Sequence, residues 1–319
     1  SADVVFVIQH AGCNSDVVEK LNEVVSDLEQ AFKLEGLKNN QYSIVGYGGE
    51  GSMGAAHTHT MNGKIFNSGD KILLALENFS MMKSGESADG LAALHFASKL
   101  PYRTGVGKTV VLVPCSDCSS SAVSYADVQQ VLLQKNIHLH VLTPHNFKLT
   151  IEKEDPVSAY IFGADKNRVY TRKDAGGQEV AGDSELRQQL QMPKDLCVAL
   201  TTDTDGAIFN TLQWTESRPY MQKRFTDVMV RVFADKGHPE DCQQCDCVAD
   251  ENGVGKAVCR SCVSTRSFYS FLPGFGSSSS EESLEFKYEE TERSAPKAKR
   301  LRNLRRKNLR RNRQQAATA

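Results

Sequence analysis

The sequence lacks any run of the roughly 18 to 20 consecutive apolar residues that a membrane-spanning helix needs. It has no initiator methionine and no secretory leader, and its first apolar segment begins at Val4. We therefore expect the chain to be a piece of a longer polypeptide or a mature fragment.

The sequence also lacks the residue pairings on which most enzymes depend. We find no nucleophile with a base, and no two carboxylates, at a spacing that would support catalysis. Gly46, Gly48 and Gly51 match a dinucleotide-binding pattern, but the segment that follows, SMGAAHTHT, is not typical of a helix. A loop is the better interpretation, so the sequence predicts neither an enzyme nor a bound cofactor.

Apolar residues are abundant, and charge is unevenly distributed. Apolar residues make up 40% of the 319-residue chain, which suits one large α/β domain with appendages. The formal net charge is −1, but 11 of the 38 basic residues lie in residues 293–319, which contain no acidic residue. The rest of the chain contains the other 27 basic residues and all 39 acidic ones, so its net charge is −12. A basic tail on an acidic body indicates an electrostatic partner for the tail or a disordered end.

Strand and helix patterns alternate along most of the chain. Apolar and β-branched runs predict strands at residues 4–8, 42–47, 109–113, 137–142 and 207–212. Helical periodicity predicts helices at residues 15–35, 71–79, 88–100, 125–134, 185–190, 196–200 and 225–233. This alternation predicts an α/β fold with a doubly wound, mostly parallel sheet and helices on both faces.

We predict three parts in the chain. Residues 1–237 form the α/β domain, and a polar insertion at residues 148–183 contains a strand at 160–163 with a hairpin partner at 169–171. Residues 238–264 form a small cysteine-rich disulfide module. Residues 265–319 have few apolar residues and a strong compositional bias, so we expect a disordered tail that is first acidic and then basic.

The cysteines are concentrated near the C-terminus, which suggests an oxidising compartment. Two CxxC pairs separated by 13 residues would also suit a zinc ribbon, but a fifth cysteine and an acidic loop favour disulfides. Because five is odd, one cysteine of the module must pair outside it, and Cys197 is the candidate. The disulfide candidates are Cys13, Cys115, Cys118, Cys197, Cys242, Cys245, Cys247, Cys259 and Cys262.

The first strand, within DVVFVIQHAGCN, resembles the opening strand of the von Willebrand factor type A family. In that family the strand ends in an Asp-x-Ser-x-Ser motif that binds a divalent cation. The matching positions here are Gln9, Ala11 and Cys13, which offer neither carboxylate nor hydroxyl oxygens to a hard cation. The resemblance implies the fold, whereas these residues predict a degenerate site without metal. Asp117 and Ser87 could still meet a cation, but two ligands make a poor site.

The same resemblance makes the first and fourth core strands neighbours at the switch point of the sheet. The strand at residues 109–113 corresponds to the fourth one of that topology, and it is followed by Cys115 and Cys118, near the position of the family's last metal-binding aspartate. We therefore expect a disulfide from Cys13 to Cys115 or Cys118. The alternative is a bond within Cys115-x-x-Cys118, or a redox role. A redox CxxC motif usually begins a helix, whereas here further residues separate Cys118 from the next helix, which disfavours the redox role.

Two pairs of histidines have the spacing that puts both side chains on one side of a strand. They are His57 with His59 and His138 with His140. Two imidazoles alone do not make a zinc site, so we expect solvated or packed pairs.

The basic tail has no aromatic residues among its basic ones, which disfavours nucleic acid as a partner. Anionic membrane head groups or sulfated glycans are the expected partners. A solvated tail without a partner, or a site of proteolytic processing, is the alternative. The candidate residues are Arg300, Arg302, Arg305, Arg306, Lys307, Arg310 and Arg311.

Six segments share one resemblance, which covers residues 3–262 but not the tail: VVFVIQHAGCN, YSIVGYGG, LPYRTGVGKTVVLVPCSDC, AYIFGAD, PKDLCVAL and DCQQCDCV. Together they are similar to the C-terminal region of arthropod apolipophorins, large lipid transfer proteins related to vitellogenin and apolipoprotein B. The resemblance implies a non-catalytic domain of a secreted lipoprotein scaffold in haemolymph. Its candidate partners are the rest of a larger lipoprotein precursor and a receptor, and lipids are carried by other regions. The glycosylation sequon at Asn78 is compatible with secretion. An extracellular adhesion or protein-binding module that works without metal is the alternative.

Overall fold

The computed structural model describes residues 1–79, 89–118, 122–150, 161–175, 180–238, 243–249 and 255–261. The strands in these residues are β1 (Ala2–Gln9), β2 (Gln41–Tyr47), β3 (His57–Thr58), β4 (Gly107–Val113), β5 (Ile137–Thr143), β6 (Lys148–Leu149), β7 (Ile161–Asp165), β8 (Val169–Thr171), β9 (Leu190–Gln191), β10 (Ala207–Asn210), β11 (Gln243–Ala249) and β12 (Gly255–Ser261). The helices are α1 (Ser15–Leu34), α2 (Gly69–Glu77), α3 (Gly90–Ser98), α4 (Tyr125–Gln134), α5 (Ser184–Gln189), α6 (Leu196–Asp203), α7 (Thr211–Thr215) and α8 (Pro219–Lys236).

The main sheet has the strand order β3-β2-β1-β4-β5-β10-β7-β8. Its five central strands, β2, β1, β4, β5 and β10, run parallel. Antiparallel strands lie at both edges: β3 beside β2, and the β7–β8 hairpin beside β10. Strand order reverses between β1 and β4, as in doubly wound folds. The predicted fold class is confirmed.

Alternation along β1 explains why helices cover both faces. Val4, Phe6 and Ile8 belong to a core shared with α1, α2 and α8, whereas Val5 and Val7 belong to a core shared with α3, α4 and α6. Successive side chains of a strand point to opposite faces, and a strand buried on both faces is apolar throughout. The continuous apolar run is therefore what this central strand requires.

Several element ends differ from the prediction, and for two of them the structure shows the reason. The final parallel strand stops at Asn210 instead of residue 212, because the Asn210 side chain accepts a hydrogen bond from the Leu212 N–H at 2.9 Å and caps α7. The closing helix is longer than predicted and begins at Pro219, whose fixed φ suits the first turn of a helix.

The predicted insertion contributes to the main sheet. Strand β7 of its β7–β8 hairpin pairs with β10, so that Ile208 lies opposite Ala164. Ile161, Val169 and Ile208 pack in a third, smaller core. Residues 151–160 and 176–179 of the insertion lie outside the described residues.

The cysteine-rich module contains a separate two-stranded antiparallel hairpin. Its backbone register places Cys245 opposite Cys259, and Cys247 opposite Ala257. Cys242, Cys262, the predicted tail and all of the tail's candidate basic residues lie outside the described residues. The predicted domain boundaries therefore stay predictions. Among the described helices, none is long and apolar enough to cross a membrane.

Candidate functional site at the carboxyl ends of the strands

The first of the degenerate metal-ligand positions lies at the end of β1. Gln9 is 2% exposed, and its Oε1 accepts a hydrogen bond from the backbone N–H of Cys115 at 2.8 Å. Ala11 is also buried, and Cys13 is exposed in the short turn that follows. A neutral amide already paired with the backbone replaces the carboxylate that a hard cation would need.

A buried asparagine joins the ends of the two neighbouring strands. Asn14 Nδ2 donates hydrogen bonds to the carbonyl oxygens of Gln9 and Val113, each at 3.0 Å. Gln9 ends β1 and Val113 ends β4, so one side chain satisfies a carbonyl on each strand.

A disulfide between Cys13 and Cys115 links the ends of the same two strands covalently. Their Cα atoms are 5.9 Å apart, within the usual range for a disulfide. Of the two partners expected for Cys13, the structure therefore contains Cys115. Cys118 bonds elsewhere, so the alternative bond within Cys115-x-x-Cys118 is absent.

The prediction that Cys197 pairs with the C-terminal module is wrong, because Cys197 forms a disulfide with Cys118. Both sulfurs are buried, and their Cα atoms are 5.7 Å apart. The loop after β4 passes over the beginning of α6, which brings the two residues together across 79 positions of sequence. The close approach needs a glycine at position 90, where a Cβ atom would lie 2.5 Å from Cys118 Sγ.

Asp195 reinforces this second covalent connection. Its Oδ1 accepts hydrogen bonds from the N–H groups of Cys197 and Val198 at 2.8 and 3.0 Å, which caps α6. Its Oδ2 accepts a hydrogen bond from the Cys118 N–H. One carboxylate thus fixes both the helix and the loop that the disulfide joins.

Asp117 and His145 lie beside a shallow cleft of about 360 Å³. Asp117 Oδ1 is 2.5 Å from His145 Nε2, and the side chains are 68% and 37% exposed. Lys148 and Lys194 also line the cleft, so its charge is mixed. Ser87, the other ligand considered with Asp117, lies outside the described residues.

Three histidines converge at the edge of the sheet next to these connections. His10 follows β1 directly and is fully buried, whereas His57 and His59, on and beside β3, are half-buried. One ring nitrogen from each residue lies within 4.8 Å of the other two. His10 Nε2 and His57 Nε2 are 3.3 Å apart. His57 Nδ1 lies 2.9 Å from the carbonyl oxygen of Ala55.

The space for these rings comes from Gly46 in β2. A Cβ atom there would lie 2.2 Å from His10 Nε2 and 2.9 Å from His57 Nε2. Phe79 stacks on His10 with ring centroids 4.1 Å apart. The glycine pattern that resembles a nucleotide-binding fingerprint thus includes a residue that accommodates imidazoles.

Burial changes the titration of His59. Desolvation, together with the neighbouring His57 and His10, lowers the pKa of His59 to about 4. His59 is therefore neutral at physiological pH. Its Nε2 is buried and has no hydrogen-bond partner among the described residues.

The other histidine pair is packed in the fold, one of the two outcomes expected from its sequence. His138 Nδ1 lies 3.1 Å from the carbonyl oxygen of Thr204, and His140 Nδ1 accepts a hydrogen bond from the Ala207 N–H at 3.0 Å. Burial, and then the charge of Lys236, lowers the pKa of His140 well below its ordinary value. These two histidines hold the start of β10 and give no indication of a binding site.

The role of His10 could not be predicted from spacing, since a single histidine carries no spacing signal. The available signal was its position directly after a core strand, at the edge where doubly wound sheets bind ligands. Asn78, the glycosylation candidate, is exposed at the end of α2, and its Nδ2 donates to the carbonyl oxygen of Leu74 at 2.7 Å. Ser80 of the sequon lies outside the described residues, and glycosylation stays a prediction.

Comparison with solved structures gives distant similarities. An aerotolerance-related membrane protein from Bacteroides fragilis is 16% identical and covers 72% of this chain and 99% of its own, with a TM-score of 0.37. The protein BatB from Bacteroides thetaiotaomicron is 15% identical over 73% of this chain and 98% of its own, with a TM-score of 0.38. Proximal thread matrix protein 1 from the mussel byssus is 16% identical over 44% of this chain and 35% of its own, with a TM-score of 0.33. Similarities this low support no functional conclusion.

Comparison of sequences is more informative. No known protein-family profile matches the chain. A curated protein of Locusta migratoria named "Apolipophorins" is 23% identical over 287 residues, which cover 81% of this chain. The chain spans only 8% of the length of that relative. The similarity to apolipophorins that the sequence segments indicated is therefore confirmed, and it extends over most of this chain.

Proposed function

We propose that this chain is a non-catalytic structural and interaction domain of a secreted lipoprotein scaffold that takes part in lipid transport in haemolymph. The observation that carries the proposal is the similarity to an apolipophorin over 81% of the chain. Because the chain corresponds to 8% of that protein, we assign lipid binding to other regions of a larger precursor.

The geometry at the carboxyl ends of the strands supports a structural role. Gln9 and the Cys13–Cys115 disulfide occupy the place where a type A domain would hold its cation. Two disulfides in the described residues also favour an oxidising, extracellular compartment. A rigid, covalently closed surface suits a domain that holds or contacts other proteins.

Flotation of the native protein tests the lipoprotein assignment. An antibody against residues 1–237 would follow the protein through a density gradient of haemolymph. We expect it in the lipoprotein fraction, and at the density of lipid-free protein after extraction with detergent. Migration as lipid-free protein before extraction would contradict the assignment.

Vesicle binding by the chain itself tests the assignment of lipid binding to other regions. Residues 1–237 should remain in solution when mixed with neutral phosphatidylcholine vesicles and centrifuged. Co-sedimentation with these vesicles would place a lipid-binding surface in this domain.

The second candidate is an extracellular adhesion or protein-binding module that needs no metal. The observation that favours it is the exposed cleft beside Asp117 and His145, whose lysines and carboxylates could recognise a charged protein surface. The flotation experiment separates the candidates, since an adhesion module has no reason to travel with lipid.

We also propose that the basic tail binds polyanions such as sulfated glycans or anionic membranes, without sequence selectivity. The support is its 11 basic residues without an acidic one in residues 293–319. Such attraction is screened over roughly 8 Å at physiological salt, so binding should weaken steeply as salt increases. Heparin chromatography of the full chain and of residues 1–292 provides the comparison. Equal retention of the two would show that the tail is passive or only a processing site.

A further inference from the structure

We propose that His10, His57 and His59 form a binding site for a divalent transition-metal ion, Zn²⁺ in particular, with a fourth coordination position open to water or to a partner's side chain. This site is distinct from the degenerate positions at Gln9, Ala11 and Cys13. It uses nitrogen ligands instead of oxygen ligands, so it selects a different class of cation.

The distances fit tetrahedral coordination. Two nitrogens bound to zinc at roughly 2.0–2.1 Å in a tetrahedron stand roughly 3.3 Å apart. His10 Nε2 and His57 Nε2 are 3.3 Å apart. The three ligand nitrogens lie within 4.8 Å of one another, so the third ring closes the set by a shift of at most about 1.5 Å. His59 is half-buried beside a two-residue edge strand, where such a shift is easily accommodated.

His57 has the tautomer that metal binding through its Nε2 requires. The carbonyl oxygen of Ala55, at 2.9 Å, can only accept, so a neutral His57 carries its proton on Nδ1. The lone pair of His57 is then on Nε2, which faces His10. A backbone carbonyl on the second ring nitrogen is a typical outer-shell partner of a metal-binding histidine.

A second indication of a metal ion, besides the distances, is a nitrogen of His59 without a partner among the described residues. Its Nε2 is buried and lacks a hydrogen-bond partner among the described residues, which is unfavourable without an ion. Gly46 is the third indication, because any side chain there would occupy the space between His10 Nε2 and His57 Nε2. The facing Nε2 atoms of His10 and His57 and the space left by Gly46 thus coincide, and a ring nitrogen of His59 lies within 4.8 Å of both other histidines.

The other group with metal-ligand chemistry does not qualify. Cys118, Asp195 and Cys197 also lie close together. Cys118 and Cys197 are joined in a disulfide, which offers no thiolate, and Asp195 already accepts three backbone hydrogen bonds. Within the described residues, the histidine cluster is therefore the stronger candidate.

A bound ion would connect the end of a central strand to the edge of the sheet. His10 follows β1, whereas His57 lies in β3, which pairs with β2. Zinc would thereby hold the loop between β2 and β3 against the sheet. Its open position would lie among half-buried rings, where a ligand from a partner protein could complete the coordination.

Calorimetric titration of the oxidised, chelator-treated full chain with ZnCl₂ tests the site. We expect the wild-type chain to bind Zn²⁺ with micromolar or tighter affinity, and His57→Gln and His59→Gln to weaken binding at least tenfold. His95→Gln removes a histidine outside the cluster and should leave the affinity unchanged. Co²⁺ should give the visible absorption of a tetrahedral site without thiolate charge-transfer bands, which separates it from the cysteine-rich module.

A measurement on the unmodified chain keeps the proposal testable if a variant folds poorly. Zn²⁺ should protect His57 and His59 from diethylpyrocarbonate, as mapped by mass spectrometry, while His95 remains reactive. The absence of zinc binding in the wild type, or wild-type affinity in both folded glutamine variants, would overturn the proposal. So would thiolate bands in the cobalt spectrum with no protection of the two histidines.

Discussion

At the amino ends of its central strands the sheet is held by ion pairs with buried carboxylates, whereas at the carboxyl ends it is held by disulfides and amide hydrogen bonds. Asp3, at the start of β1, is fully buried and accepts hydrogen bonds from Arg103 Nε at 2.7 Å and from the Arg103 N–H at 2.8 Å. The same guanidinium donates to the carbonyl oxygens of Ala2 and Asn39 at 3.1 and 3.0 Å. One arginine thus connects three segments of chain.

A second buried ion pair supports the amino end of β10. Asp165 lies opposite Ala207, the first residue of that strand. Lys236 Nζ is 3.4 Å from Asp165 Oδ2, and their side chains are 7% and 2% exposed. Tyr170 also donates a hydrogen bond to Asp165.

The two ends of the sheet are therefore connected by different kinds of interaction. In the type A family a cation binds at the carboxyl ends of the strands, where the described chain has two disulfides. The amino ends depend on charge instead. We therefore expect the amino end to respond to acid and to loss of charge, and the carboxyl end to respond to reductant.

Removal of the arginine should have the largest effect. Arg103→Ala leaves the Asp3 carboxylate buried without its partner, so we expect a loss of about 3–5 kcal/mol in the free energy of unfolding. Urea denaturation measures it. The double variant Asp3→Asn with Arg103→Met should lose less, because no unpaired charge stays buried. A loss below about 1 kcal/mol for Arg103→Ala would place this pair among ordinary surface ion pairs.

Removal of the first disulfide should have the next largest effect. Replacing Cys13 and Cys115 together by alanine should lower the free energy of unfolding by roughly 2–4 kcal/mol, because the bond closes a long loop of chain. The sequence separation is 102 residues. Reductant should then destabilise this variant less than it destabilises the wild type. Equal responses to reductant would mean that this bond adds nothing to the carboxyl end.

Acid should weaken the amino end at the second ion pair. Burial alone raises the pKa of Asp165, but the hydrogen bond from Tyr170 and the charge of Lys236 outweigh it, so the pKa is lowered below its ordinary value. The folded-state pKa is below the unfolded one, about 3.9, so the stabilisation is present above the unfolded value and disappears as pH falls through the folded one. The stability difference between wild type and Asp165→Asn should therefore narrow below about pH 4.

A neighbouring carboxylate provides the control for the acid experiment. Asp205 also contacts Lys236, at 3.2 Å, but is 59% exposed. Asp205→Asn should change stability by less than about 1 kcal/mol at neutral pH. If Asp165→Asn and Asp205→Asn showed the same loss of stability at every pH, the burial of Asp165 would not explain its contribution.

Hard cations should have the smallest effect. Gln9, Ala11 and Cys13 replace the oxygen ligands of the type A motif, so we expect no change in the unfolding temperature with millimolar Mg²⁺ or Ca²⁺. Differential scanning calorimetry with either salt, against a matched ionic strength of NaCl, measures this. Calorimetric binding with sub-millimolar affinity at this end of the sheet would refute it.

Local periodicity was enough to predict the central strands and the two-faced arrangement of helices. The apolar run of β1 and the helical spacing of Val17, Leu21 and Phe32 in α1 are properties of short segments, and these residues are buried as their pattern indicates. The partner of Cys13 could be predicted as Cys115 or Cys118 because the type A resemblance made the ends of β1 and β4 neighbours.

The remaining connections join residues that are far apart in sequence. One sequence by itself does not show which distant residues are in contact. Arg103 and Asp3 are 100 residues apart, and Cys118 and Cys197 are 79 apart. His10 joins His57 only because β3 turns back against β2 and Gly46 leaves room for the rings. Such contacts follow from three-dimensional register and not from local pattern.

Disulfide mapping of the native protein tests most directly whether covalent bonds hold the carboxyl end of the sheet. The protein would be digested without reduction, with free thiols blocked beforehand, and the linked peptides identified by mass spectrometry. We predict one peptide pair containing Cys13 and Cys115 and another containing Cys118 and Cys197. Free Cys13, or Cys13 linked to a cysteine of residues 242–262, would contradict the account.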